Sequence, residues 1–287
     1  MLPIPLLTAL TTVAPTQATD TVHDVPYAAG AHPEQRLDFS WPVGASATVL
    51  FIHGGSLSES GERRDSPMYA SVCAPFLAAG IACATTDYRL APTFRWPAMP
   101  EDIAAAILKV RALIAGRGGD PDRLFLFGHS SGCTLAAVVA ADATYLTRVG
   151  LQPAQIAGVI LMGCALDNED AALKGWTADD IREGFARSRS DVERFGTPEH
   201  WLAANPSRFA GPHMPPVRVV VANAERFFPP ILEQGARFVR RLLEYDVPAD
   251  LVIVPASHRS SIARMGRSGD LVFAAVRAFL EAPRRSR

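Results

Sequence analysis

The chain is expected to fold as an α/β domain, a mostly parallel central sheet with helices on both faces and a small inserted cap, and three observations carry that expectation. Strand-like runs alternate with helix-like segments almost throughout the 287 residues, a pattern that places successive parallel strands in one sheet through right-handed crossovers. The runs themselves, Ala47 to Ile52 and Ile81 to Thr86 among them, are short and mostly apolar, as strands buried on both faces require. Lastly, the apolar run Leu124 to Phe127 passes directly into Gly128, His129, Ser130, Ser131, Gly132 and then Leu135 to Val139, which reads as strand, sharp turn and helix.

Taken in order, residues 34–41 alternate enough for an early strand, closed by Pro42 and Gly44. The run Ala47 to Ile52 ends in His53, Gly54, Gly55 and Ser56. Met68 to Ala79 has helical spacing and stops at Gly80, and Ile81 to Thr86 leads into Asp87, Tyr88 and Arg89. Pro97 to Ala115 reads as a helix with Glu101 and Asp102 near its start, where acids suit the dipole, and Gly116 behind it. After the turn around Ser130 come strands at Ile156 to Met162, Val217 to Ala222 and Leu251 to Val254. Helices are expected at about Pro230 to Tyr245 and Asp270 to Glu281. Residues 167–215 are too long for a plain crossover and carry Trp176, Phe185, Phe195 and Trp201, so they are read as a cap. The division expected is an N-terminal segment 1–26 and one domain 27–287.

Composition narrows the function classes. The formal net charge is −1 with basic residues scattered, which leaves no electrostatic footprint for nucleic acid. No apolar run is long enough to span a bilayer. The four cysteines, Cys73, Cys83, Cys133 and Cys164, lack CxxC spacing and sit among apolar residues, so they are expected to be small core hydrophobes and neither zinc ligands nor redox centres. Residues 1–19 are apolar but carry no Lys or Arg and are broken by Pro3, Pro5 and Pro15, so the cytoplasm is favoured over export. No metal and no cofactor is expected, and the oligomeric state is open, with a homodimer compatible.

Ser130 is the candidate nucleophile. A serine held in a tight strand-to-helix turn is lifted off the sheet, and it needs small neighbours, which Gly128 and Gly132 supply. Its hydroxyl becomes a competent nucleophile only beside a base that a third group orients. Of the seven histidines, His258 follows the last strand at the same sheet edge and is the expected base. His129 is read as a turn residue and His53 as orienting its own loop, while His23, His32, His200 and His213 are read as surface positions. Glu225, on the loop after the penultimate strand, is the expected acid, with Asp167 its rival. The backbone N–H groups of Gly55 and Ser56, with that of Ser131, are the expected oxyanion hole.

Phe51, Ile52, His53, Gly54 and Gly55, then Asp87 to Pro92, then Gly119 to Arg123 ahead of Gly128 to Gly132, together resemble the α/β-hydrolase superfamily. More narrowly they resemble the hormone-sensitive-lipase-like carboxylesterases and the related acetyl-xylan or feruloyl esterases and arylformamidases, over about Tyr27 to Leu280. The resemblance implies the α/β-hydrolase fold, with Ser130 as nucleophile, His258 as base and Glu225 where many relatives carry Asp. It implies a serine carboxylic-ester hydrolase, free of metal, working on small to medium acyl or aryl esters. Arylformamide hydrolysis is the alternative, and a non-catalytic ligand receptor on the same fold a remote one. Two departures stand out: Ser56 replaces the third glycine or aromatic that commonly follows His-Gly-Gly, and Glu225 is longer than Asp.

Overall fold

The computed structural model describes residues 18–167, 177–226 and 228–282. Readings that fall on residues 1–17 and on Trp176 lie outside that set. The strands are β1 (Thr19–Pro26), β2 (Arg36–Pro42), β3 (Thr48–Ile52), β4 (Ala82–Thr86), β5 (Leu124–His129), β6 (Gly158–Met162), β7 (Val217–Ala222) and β8 (Ala249–Val254). They form one sheet in the order β1-β2-β4-β3-β5-β6-β7-β8. From β4 to β8 all neighbours run parallel, whereas β1 and β2 are antiparallel additions at one side.

The continuous apolar runs explain why both faces are covered. In β3, Leu50 and Ile52 point into one core and Val49 and Phe51 into the other; in β5, Leu124 and Leu126 oppose Phe125 and Phe127 in the same way. Side chains alternate across a strand, so an uninterrupted apolar strand demands a layer on each side. One layer is built by α2 (Ala98–Ala115), α3 (Ser131–Ala141) and α8 (Phe228–Glu244), the other by α1 (Ala74–Ala78) and α10 (Leu271–Glu281). Helix α2 buries Met99, Ile103, Ala106, Ile107, Val110 and Ile114, a stripe at three- and four-residue spacing. The described chain also holds shorter α-helices, α4 (Ala143–Arg148), α5 (Ala178–Arg187), α6 (Arg189–Phe195), α7 (Pro198–Ala203) and α9 (Ser260–Ala263). Three of these, α5 to α7, lie within 167–215.

Several expectations change. Strand β1 falls inside the segment set apart as 1–26, pairing antiparallel with β2. Its side chains are mostly exposed, so it carries no apolar pattern to read. The helix expected from Met68 shrinks to Ala74–Ala78, because Pro75 has no N–H to give Ser71; the Ala74 N–H bonds that carbonyl instead, a tighter turn. Asp102 is not a first-turn dipole partner. It is buried and accepts from the Arg89 backbone N–H, the Arg89 guanidinium and the Gln35 amide. The cysteines are not free core hydrophobes: Cys73 pairs with Cys83 and Cys133 with Cys164. Both pairings join residues that the fold, not the spacing, brings together.

Candidate active site

Parallel register brings the strand ends to one edge. Ile52 sits opposite Gly128, His129 opposite Met162, and Ala222 opposite Val254, so the loops after β3, β5, β6, β7 and β8 open together. Ligands bind at this edge of such sheets.

Ser130 links β5 to α3 with φ 55° and ψ −129°, a backbone conformation that a non-glycine residue avoids. Contact on both sides holds it there. A Cβ on Gly128 would lie 2.3 Å from the Gly132 carbonyl oxygen, and one on Gly132 would lie 2.2 Å from that of Ile52. Only bare backbone fits in either place. The Ser130 N–H donates to the Met162 carbonyl at 2.9 Å, which ties the turn to β6. A serine at a helix N-cap ordinarily accepts a hydrogen bond from the first turn. Ser130 makes no such bond, so its hydroxyl is not engaged by its own helix.

Glu225 and His258 meet across the loops after β7 and β8. Both carboxylate oxygens of Glu225 lie in reach of His258 Nδ1, at 3.0 and 3.1 Å. A carboxylate only accepts, so Nδ1 carries a proton, and in the neutral ring Nε2 is the free acceptor. The Glu225 side chain is almost fully buried, while that of His258 is 38% exposed, and the two pack on Gly163. A Cβ at Gly163, where φ is 67°, would lie 2.8 Å from Glu225 Oε1 and 3.0 Å from His258 Nδ1. The His258 ring lies against that of His129, centroids 4.6 Å apart, next to Ser130 in the chain. Asp167, the rival acid, is bonded by the Arg237 guanidinium at 3.1 Å.

The loop after β3 is held from beneath. His53 is buried and stacked on Tyr88, its Nδ1 donates to the Gly54 carbonyl at 2.6 Å, and Tyr88 Oη donates to the His53 carbonyl at 2.8 Å. Gly54 packs so closely on the nucleophile that a Cβ there would lie 2.7 Å from Ser130 Cβ. Gly55 takes φ 109° and Ser56 φ 59°. The N–H groups of Gly55 and Ser56 donate to no other described residue, and that of Ser131 begins a helix, where no intrahelical acceptor exists.

The remaining histidines are engaged elsewhere: His23 lies 3.4 Å from Asp38, His32 packs edge-on against Phe94, and His200 and His213 bond the carbonyls of Phe195 and Ala141. Sequence reasoning missed Tyr69 and Gly163. Neither has a motif of its own, and Tyr69 reaches the site from a turn more than fifty residues before Ser130.

Comparison with known proteins bears on the fold and the family. The chain is 35% identical over 126 residues to the esterase LipQ of Mycobacterium tuberculosis, covering 42% of this chain and 29% of that protein. It is 30% identical over 224 residues to the esterase LipC of the same organism, covering 74% and 53%. The chain thus spans at most about half the length of these curated relatives. A solved esterase from Pyrobaculum calidifontis superposes with a TM-score of 0.69 at 20% identity, covering 93% of this chain and 86% of that one. The carboxylesterase EstE1, from a metagenomic library, gives 0.68 at 23% identity, covering 93% and 91%. A family model described as alpha/beta hydrolase fold matches residues 49–259, from β3 through the His258 loop, and the chain belongs to that family.

Proposed function

We propose that the protein is a serine carboxylic-ester hydrolase acting on small to medium acyl or aryl esters. The observation that carries the reading is the buried Glu225 carboxylate on His258 Nδ1, at the sheet edge where Ser130 is held in its strained turn. In this reading Ser130 Oγ attacks the ester carbonyl while His258 Nε2 takes its proton, and Glu225 stabilises the imidazolium that forms. The N–H groups of Gly55, Ser56 and Ser131 receive the oxyanion. Collapse of the tetrahedral intermediate expels the alcohol oxygen, which takes the proton from His258 and leaves an acyl group on Ser130. Water, deprotonated by the same histidine, then releases the acid. Relatives named as esterases support esters over formamides.

Ser130→Ala is expected to lower hydrolysis of a short-chain p-nitrophenyl ester by at least about 10⁴-fold with the fold intact by circular dichroism. A folded variant that keeps its activity sinks the assignment. Faster turnover of an aryl formamide than of the matched ester would move the substrate class.

The paired cysteines support work in an oxidising compartment, against the cytoplasmic expectation, because thiols in the cytosol are kept reduced. Among the described residues no helix is long and apolar enough to cross a membrane.

A further inference from the structure

Two buried groups beside the candidate triad take no part in the chemistry above. Tyr69 is 1% exposed and His129 fully buried, although each carries a titratable side chain. Their contacts form one line. The Gly54 N–H donates to Tyr69 Oη at 3.1 Å, Tyr69 Oη lies 2.9 Å from His129 Nδ1, and His129 Nε2 lies 3.0 Å from the His258 carbonyl oxygen.

Elementary chemistry fixes the direction of every proton in that line. A backbone carbonyl only accepts, so His129 Nε2 carries a hydrogen. Burial, helped by the neighbouring His258, pushes His129 down to about 3, so the ring is neutral at working pH and Nδ1 is left as an acceptor. Tyr69 must therefore donate to Nδ1. Burial holds its phenol up at about 12, so that hydrogen is present, and the phenol oxygen is left to accept from Gly54. The line runs one way only: Gly54 N–H to Tyr69, Tyr69 O–H to His129, His129 N–H to the His258 carbonyl.

We propose that Tyr69 and His129 are positioning residues that fix the oxyanion loop and the base-bearing loop relative to the nucleophile turn through this one-way line of hydrogen bonds. The line joins three parts that the sheet also brings to one edge. Gly54 precedes the candidate oxyanion donors, His129 precedes Ser130, and the His258 carbonyl belongs to the base itself, where Ser261 Oγ adds a second bond at 2.8 Å. A misplacement of about 1 Å in such a site costs on the order of 100-fold in rate. Tyr69 also fills the core against Phe51, with ring centroids 5.3 Å apart, so removal of the whole side chain would confuse packing with positioning. Removal of the hydroxyl alone does not.

The inference rests on the esterase reading, and two readouts keep them apart. The first is steady-state hydrolysis of p-nitrophenyl acetate by the full chain, with Ser130→Ala as the zero. Tyr69→Phe and His129→Leu are expected to lower kcat about 10- to 100-fold with KM within about twofold. His129→Gln, whose amide offers an acceptor toward Tyr69 and a donor toward the carbonyl, should keep kcat within about fivefold of wild type. The double variant Tyr69→Phe/His129→Leu should lose little more than either single variant, because one line is cut once. The second readout needs no substrate: ¹⁵N-histidine NMR should show His129 as the neutral Nε2–H tautomer. A folded Tyr69→Phe enzyme with wild-type kcat, or a His129 protonated at Nδ1 and bare at Nε2, overturns the proposal. Absence of hydrolysis in the wild type sinks only the esterase reading, since the NMR result still decides the line.

Discussion

Ser56 occupies the place where the resembled family commonly has a third glycine or an aromatic, and it stands at φ 59°, with Leu57 behind it at φ 58°. The side chain has changed while the backbone keeps a glycine-like course, and the N–H of Ser56 donates to no other described residue. Holding an L-residue in this region costs roughly 1–2 kcal/mol. Ser56→Gly is therefore expected to raise stability by about 1 kcal/mol, read from the urea midpoint, with esterase activity changed less than about threefold. A loss of stability would show that the Ser56 side chain supplies a bond outweighing its strain. The second departure is accommodated by absence of mass: Gly163 leaves the room in which the longer Glu225 brings both oxygens to Nδ1.

The unit formed by β5, its turn and α3 is fastened twice. Backbone contact seats it on β3 through Gly132, and the Cys133–Cys164 disulfide joins the first turn of α3 to the residue after Gly163. The nucleophile helix is thereby bonded covalently to the segment on which Glu225 and His258 pack. A cross-link stabilises mainly by restricting the unfolded chain, and more so for longer loops. With sequence separations of 31 and 10 residues, loss of Cys133–Cys164 is expected to cost about 4 kcal/mol and loss of Cys73–Cys83 about 3 kcal/mol. Urea unfolding of the two double-alanine variants checks the order. Mass spectrometry showing four free thiols in protein matured under oxidising conditions would remove the basis for both values.

For the whole molecule, the buried neutral His129 couples stability to acidity. Its folded value of about 3 lies below the roughly 6.5 of a free histidine, so between those values the unfolded chain binds a proton that the folded chain refuses. The resulting stability is complete above about pH 6.5 and is lost as pH falls toward 3, at up to about 1.4 kcal/mol per pH unit from this group. Melting temperatures between pH 7 and pH 5 should fall more steeply for the wild type than for His129→Gln. Parallel curves would mean that His129 takes up its proton in the folded state.

Much of the architecture was legible because it rests on local rules. Continuous apolar strands, the glycines around Ser130 and the chain order of Ser130, Glu225 and His258 all reflect constraints that act within a few residues or through strand alternation. The exposed strand β1 was not, since a strand bathed in water needs no apolar pattern. By itself the sequence determined the fold class, the strained turn and the candidate serine and histidine at one sheet edge, while the contacts that favour Glu225 over Asp167 came from the structure. Only the tertiary structure decided that the cysteines pair, that Gly163 makes room for the longer acid, and that Tyr69 and His129 join three loops. Each of these depends on groups far apart in the chain meeting at contact distance, and sequence pattern carries no record of distance.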